Sequence, residues 1–232
     1  MILKKWVDLP DEVRNNEIKK YYDILAKKKA SLIIKRVFDV ITSLTLLIIL
    51  SPFLIFLAIL IKIDSKGPVF YRQERVTTYG KTFRIYKFRT MVQNADKIGT
   101  LVTIEHDNRI TRMGRLIRKV RLDEIPQLLN ILKGDMSFVG TRPEVKKYVD
   151  SYTDEMKATL LMPAGVTSAA SIKYKDEDKI LEQAVQNGKN TDIAYVEDIL
   201  PKKMKYNLEY ITKFSIWYDI KICIKTVIGV VK

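Results

Sequence analysis

The chain is poor in the residues on which most enzyme sites are built. It has one cysteine, Cys223, so no internal disulfide can form and nothing suggests an oxidising compartment. It has one histidine, His106, to which no specific role is assigned, so neither a histidine-based triad nor a multi-histidine metal site is available. No CxxC spacing, Walker loop or GxGxxG occurs, which removes the usual zinc, nucleotide-triphosphatase and dinucleotide signatures. There is no internal repeat and no low-complexity segment. Acid is also scarce: 27 Asp and Glu stand against 41 Lys and Arg, a net charge of +14 with a pI near 9.6. Chemistry is left to Asp, Glu, Lys, Arg and Tyr. The expected partners are anionic: nucleic acid, acidic lipid or phosphorylated substrates. At 232 residues this is one ordinary domain, or a domain with an appendage.

What the chain does have is a long charge-free run. Residues 40–61 carry no charge and are rich in Leu and Ile, long enough at ~20 residues to span a bilayer. The run starts too late and is too long for a secretory signal. Ser51-Pro52 sits in its middle, where proline removes a helix hydrogen bond and bends the helix. Both flanks are basic, Lys35 and Arg36 before, then Lys62, Lys66, Arg72 and Arg75. Short basic flanks stay on the cytoplasmic side, so a helix that enters, bends at Ser51-Pro52 and returns is favoured over a simple span. Asp39 then lies near the interface. Upstream, Pro10-Asp-Glu-Val13 predicts a helix start, with Val13, Ile18, Tyr21, Tyr22 and Leu25 as its apolar stripe. Lys27 to Lys29 suit an anionic membrane surface and a solvated face equally well.

Downstream, Val69–Val76 and Lys81–Met91 read as two strands around a turn at Thr77–Gly80. Along the second, Phe83, Ile85, Lys87 and Arg89 share one face. That pattern fits a strand leaving a core to line a phosphate site, or a solvated strand end. Ile110, Met113, Leu116, Ile117 and Val120 follow helical spacing, with Arg112, Arg115, Arg118, Lys119 and Arg121 around them. Such a helix can lie in a membrane interface. DNA binding could use the same pattern, but the apolar run makes membrane the better partner. Asp123 and Glu124 follow. Pro126 fits a first helical turn and Gly134 the position just past its end. The pair is either a helix cap or a set of carboxylates kept ionised by the arginines, able to attack or to hold a metal. Gly140 allows close backbone approach, and Arg142, stiffened by Pro143, suits a phosphate oxygen. Towards the end, residues 180–185 and the stretch from Pro201 read as helices. Phe214, Trp217 and Tyr218 with Lys213, Lys221 and Lys225 form a second candidate interfacial element, or a packed core.

These stretches resemble the bacterial sugar transferases, the monotopic phosphoglycosyl transferases. The resemblance rests on Lys35-Arg-Val-Phe-Asp39, Ser51-Pro52, Gly67-Pro-Val-Phe-Tyr-Arg-Gln73, Tyr86-Lys-Phe-Arg-Thr-Met91, Leu122-Asp-Glu-Ile-Pro-Gln-Leu128 and Lys133-Gly-Asp-Met-Ser-Phe-Val-Gly140, in order over about residues 31–168. It implies an α+β fold: a re-entrant helix broken at Ser51-Pro52, interfacial amphipathic helices and a small β-hairpin or sheet. Three parts are expected, an N-terminal helical extension (1–30), the re-entrant membrane helix (31–62) and a cytoplasmic catalytic domain lying on the membrane (63–232).

The resemblance also implies an activity. A phosphosugar passes from a UDP-sugar to polyprenol (undecaprenyl) phosphate in two steps, with Asp123 as nucleophile and Mg²⁺ required, starting glycoconjugate or polysaccharide assembly. Asp123 and Glu124 are then the catalytic and metal-holding acids, with Glu124 tuning Asp123 or helping hold the metal. Lys87, Arg89, Arg118 and Arg142 are the phosphate-binding cations, and Asp219 supports them. The expected location is the cytoplasmic face of the inner membrane, on anionic phospholipid and without nucleic acid; self-association into a homo-oligomer is left open. Departures are an inserted Ala164 and Ser168 for glycine in Pro163-Ala-Gly165-Val-Thr167-Ser168, Thr77 for a turn glycine, and Thr141 for proline. The competing reading is a membrane-tethered binding protein of the same fold that has lost catalysis.

Overall fold

The longest element has no continuous surface to pack on. In this computed structural model, which describes residues 2–95, 107–174 and 177–231 and omits the side chains of 178, 179, 182, 185, 230 and 231, helix α2 runs from Lys29 to Asp64. His106 lies outside the described residues. Before α2, a 3₁₀ turn Asp11–Val13 leads to α1, Asn16–Ala26, so the α-helix begins later than the Pro10 pattern suggests. Asn15 caps it by accepting the Ile18 N–H at 2.9 Å. The expected stripe is buried: Val13, Ile18, Tyr21, Tyr22 and Leu25 pack with Ala158, Leu161, Tyr210 and Phe214 in the largest core.

Helix α2 buries Leu32, Lys35, Asp39 and Ser43, then nothing until Leu57 and Ile61. Between them Leu44, Ile48, Ile49, Phe53, Ile55 and Phe56 are exposed. Among the described residues, this is the one helix long and apolar enough to cross a membrane. It continues through Pro52. Proline cannot donate to the Ile48 carbonyl, and the Ser51 hydroxyl donates to it instead, at 2.8 Å.

Strands β1 (Phe70–Val76) and β2 (Thr82–Phe88) form an antiparallel hairpin with Phe70 opposite Phe88. Its turn carries Tyr79 and Gly80 at positive φ. Helix α3, Arg112–Lys119, is capped by Thr111. Its apolar stripe divides. Ile117 and Met113 pack on Leu57, Ile61 and Phe88, whereas Leu116 and Val120 are exposed. A 3₁₀ turn Leu122–Gln127 leads into α4, Leu128–Lys133, which Gly134 ends in the left-handed conformation, φ 95°. Strand β3 (Met136–Val139) pairs in parallel with β4 (Ala164–Thr167), with the short helix α5 (Lys146–Val149) in the crossover. The close approach at Gly140 is real: a Cβ there would lie 2.4 Å from the Pro163 carbonyl oxygen.

The rest is helical: α6 (Ala169–Lys173), α7 (Glu177–Gln186), α8 (Thr191–Ala194), a π-turn Tyr195–Ile199, α9 (Leu200–Lys213) and α10 (Ile216–Val231). Phe214 is buried and Trp217 is 80% exposed, so the aromatic cluster of this end is split between core and surface. Mixed helices with two small sheets make the fold α+β.

Candidate active site

The acidic pair sits under the β-hairpin. The Phe83–Ile85 face of β2 packs on Leu128 and Ile131 of α4, which brings Lys87, next on that face, over the Leu122–Gln127 turn. Asn130 fixes the register. Its carboxamide accepts from the Tyr86 N–H at 2.8 Å and donates to the Arg84 carbonyl at 3.0 Å, so α4 continues the hydrogen bonding of β2. Sequence reasoning passed over Asn130. The available signal was a poor helix former inside an apolar helix, where a buried amide must find partners.

Glu124 is saturated with cations. Lys87 Nζ reaches its Oε1 at 2.9 Å, and Arg142 approaches both carboxylate oxygens, 2.5 Å to Oε1 and 3.4 Å to Oε2. Burial alone would push the Glu124 carboxyl up, but Arg142 and Lys87 outweigh it and hold the group well below the usual carboxylate range. Arg142 rises above its ordinary value for the reciprocal reason, chiefly Glu124. Lys87 is lowered, because burying its ammonium outweighs the pull of Glu124. Arg142 keeps 32% side-chain exposure.

Asp123 is in the opposite condition. No other side chain hydrogen-bonds or ion-pairs with it among the described residues; its own backbone N–H is its hydrogen-bond donor. Burial pushes its carboxyl up, against the pull of Lys87 and Arg118. The Leu122–Gln127 segment that bears it is a 3₁₀ turn, and burial prevails over the cations expected to keep it ionised. Arg118, in α3, acts on Asp123 only through its field and pairs with no carboxylate among the described residues. The turn bearing Arg142 is clamped by β1: Arg75 donates to the Pro143 carbonyl at 3.1 Å and the Val76 N–H to the Glu144 carbonyl at 2.9 Å.

Two expected site residues stand elsewhere. Strand β2 ends at Phe88, so Arg89 leaves the shared face. It is buried against the end of α2, donating to the Ser65 and Lys66 carbonyls, each at 2.6 Å. Asp219 is buried in α10, where it accepts from Lys35 at 2.6 Å and Tyr210 at 2.7 Å, tying α2 to α9 and α10. Neither touches the acidic pair. Sequence spacing put Arg89 on the wrong side because it continued the strand to Met91, three residues too far.

Among the described residues no group of three or more His, Cys, Asp or Glu converges to hold a metal. The donors present are Asp123 and Glu124 Oε2, whose one hydrogen-bond contact is the 3.4 Å one from Arg142. Two carboxylates completed by phosphate oxygens and water suit Mg²⁺ better than a cation that needs an all-protein cage. The donor chemistry therefore fits.

Residues 30–232 match the family described as bacterial sugar transferase. The chain is 36% identical to the uncharacterized sugar transferase EpsL of Bacillus subtilis, covering 84% of this chain and 86% of that one. It is 35% identical to a UDP-N-acetylgalactosamine-undecaprenyl-phosphate N-acetylgalactosaminephosphotransferase of Aeromonas hydrophila, over 84% of this chain and 43% of the relative. It is 34% identical to a UDP-glucose:undecaprenyl-phosphate glucose-1-phosphate transferase of Escherichia coli, over 84% of this chain. The chain spans about two fifths of the length of those two relatives, 43% and 39%. Helix α1 precedes the matched region, yet shares its core. With the match running from residue 30 to residue 232, the chain belongs to the bacterial sugar transferase family.

Proposed function

We propose that this chain is a membrane-bound phosphoglycosyl transferase that moves a phosphosugar from a UDP-sugar to polyprenyl phosphate through Asp123. The observation that carries the reading is the asymmetry of the acidic pair. Glu124 is consumed by Lys87 and Arg142, and Asp123, beside it, has no side-chain partner among the described residues. A carboxylate attacking a diphosphate must overcome like-charge repulsion, and preorganised cations supply that compensation without moving.

In the first half-reaction an Asp123 oxygen bonds to the phosphorus carrying the sugar, and the bond from that phosphorus to the bridging oxygen breaks. The electron pair leaves with UMP. In the second, an oxygen of the polyprenyl phosphate bonds to the same phosphorus and the aspartyl–phosphorus bond breaks, returning Asp123 as a carboxylate. Arg142 and Lys87, held by Glu124, grip the phosphate oxygens, and Arg118 adds its field. Asp123 and Glu124 would hold Mg²⁺, which supplies neutralisation of the diphosphate charge when bound. Burial raises the Asp123 carboxyl while Lys87 and Arg118 pull it down, so these cations are what favour the carboxylate that attacks.

The second substrate is a lipid, and helix α2 fits the place where it is met. The two ends of α2 pack on the folded body while its middle exposes six large apolar residues. A helix that dips into one leaflet and returns at Ser51-Pro52 satisfies this, with its basic ends on the cytoplasmic side of the inner membrane. The undecaprenyl phosphate and UDP-sugars named for the relatives are the matching substrate classes. The test is release of UMP when the protein is incubated with Mg²⁺, undecaprenyl phosphate and a panel of UDP-sugars. No release with any donor from folded protein would end the enzyme reading.

A further inference from the structure

The segment carrying Arg142 continues into a second buried charge network that the transfer chemistry does not use. Glu144 is buried, accepts a hydrogen bond from Tyr195 Oη and lies 3.5 Å from Lys203 Nζ. Lys203 is buried as well; it donates to Tyr195 Oη at 2.9 Å and stands 3.2 Å from Glu177. Burial, with Glu144 and Glu177 nearby, holds the Tyr195 hydroxyl well above its ordinary pKa, so it remains a donor.

Two features argue that this network does more than fill space. Desolvating a carboxylate and an ammonium carries a cost that an apolar filling would not. In addition, α8 and α9 are joined by a π-helical turn at Tyr195–Ile199. That geometry is rare, re-aims the side chains it carries and recurs at functional sites. Here it carries Tyr195, the residue that reaches Glu144.

The turn 142–144 is thus held from two sides, by β1 through its backbone and through Arg75, 3.9 Å from the Glu144 carboxylate, and by the C-terminal helices through Tyr195 and Lys203 on the same side chain. A guanidinium fork matches two phosphate oxygens only when its base is fixed to a fraction of an ångström. We propose that Glu144, gripped by Tyr195 and Lys203, is a positioning residue for the nucleoside-diphosphate donor, aiming Arg142 so that the C-terminal helices set donor affinity. This rests on Arg142 being a phosphate ligand, as in the function proposed above.

The test titrates UDP into the full chain in nanodiscs with Mg²⁺, for the wild type, Tyr195→Phe, Glu144→Gln and the double variant, and then measures KM for both substrates. Each single variant is expected to weaken UDP binding about tenfold and raise the donor KM to match, with the polyprenyl phosphate KM unchanged. The double variant should lose no more than the worse single, because the two residues act through one hydrogen bond. A merely structural role would instead lower the thermal midpoint and worsen both KM values together. Wild-type UDP affinity in both single variants, or equal losses for donor and lipid, overturns the proposal. Failure of the wild type to bind UDP overturns the donor reading itself and this inference with it.

Discussion

Two of the protein's buried charge centres differ in one respect. At the base of the membrane helix, Lys35 and Asp219 close on each other, with Tyr210 filling the second carboxylate oxygen. Under the hairpin, Lys87 and Arg142 close on Glu124 and leave its neighbour Asp123 without a side-chain partner among the described residues. The first centre is complete, and it joins α2 to α10. The second retains an unspent carboxylate beside fixed cations, the condition for a nucleophile facing an anionic substrate. Burial of charge alone therefore does not mark the site; incomplete pairing does.

The comparison breaks most visibly at Asp123. Asp123→Asn is expected to abolish turnover, with intact-mass measurement showing no phosphosugar adduct on the protein. A near-normal rate would remove Asp123 as nucleophile. The closed centre should fail differently. Asp219→Ala leaves Lys35 charged and buried, and removing one partner of such a pair costs about 3–5 kcal/mol of stability. The protein that remains folded should keep its rate per molecule. Loss of rate without loss of stability in denaturant titration would return Asp219 to the active site.

The smallest effect separates the two acids themselves. Glu124 is depressed in the fold, so its stabilisation is complete above the unfolded glutamate value of about 4.3 and is lost as pH falls from there towards the folded value. Asp123 is raised, so it withdraws stability as pH climbs from about 3.9 through its folded value. At neutral pH, Glu124→Gln should lower the thermal midpoint and flatten the fall on the acid side. Asp123→Asn should raise it, as expected where an active-site residue trades stability for function. Midpoints moving in the same direction for both variants would show that the pair is not divided in this way.

Much of the architecture was legible along the chain because its signals are local. The α1 stripe, the hairpin and its turn, the Gly134 stop and the apolar run with Ser51-Pro52 each depend on neighbours within a few residues. Strand-face counting placed Lys87 correctly and misplaced Arg89, since the strand stops at Phe88 where the end of α2 arrives with free carbonyls. Asp219 was misread for a related reason: an acid among aromatics carries no mark of which distant lysine it will meet. Asn130 and Glu144 were passed over because their partners lie far along the chain, 44 and 51 residues away for Tyr86 and Tyr195.

The sequence by itself determined the fold class, the family and the position of the acidic pair, since periodicity, turn chemistry and ordered motifs need no knowledge of distant contacts. It could not divide labour between Asp123 and Glu124, adjacent acids with the same basic surroundings. The tertiary structure distinguishes them by bringing Lys87 from a strand and Arg142 from a turn onto the Glu124 carboxylate. Pairing falls off steeply with separation in space, and spacing along a chain cannot say which of two neighbours the cations will reach first.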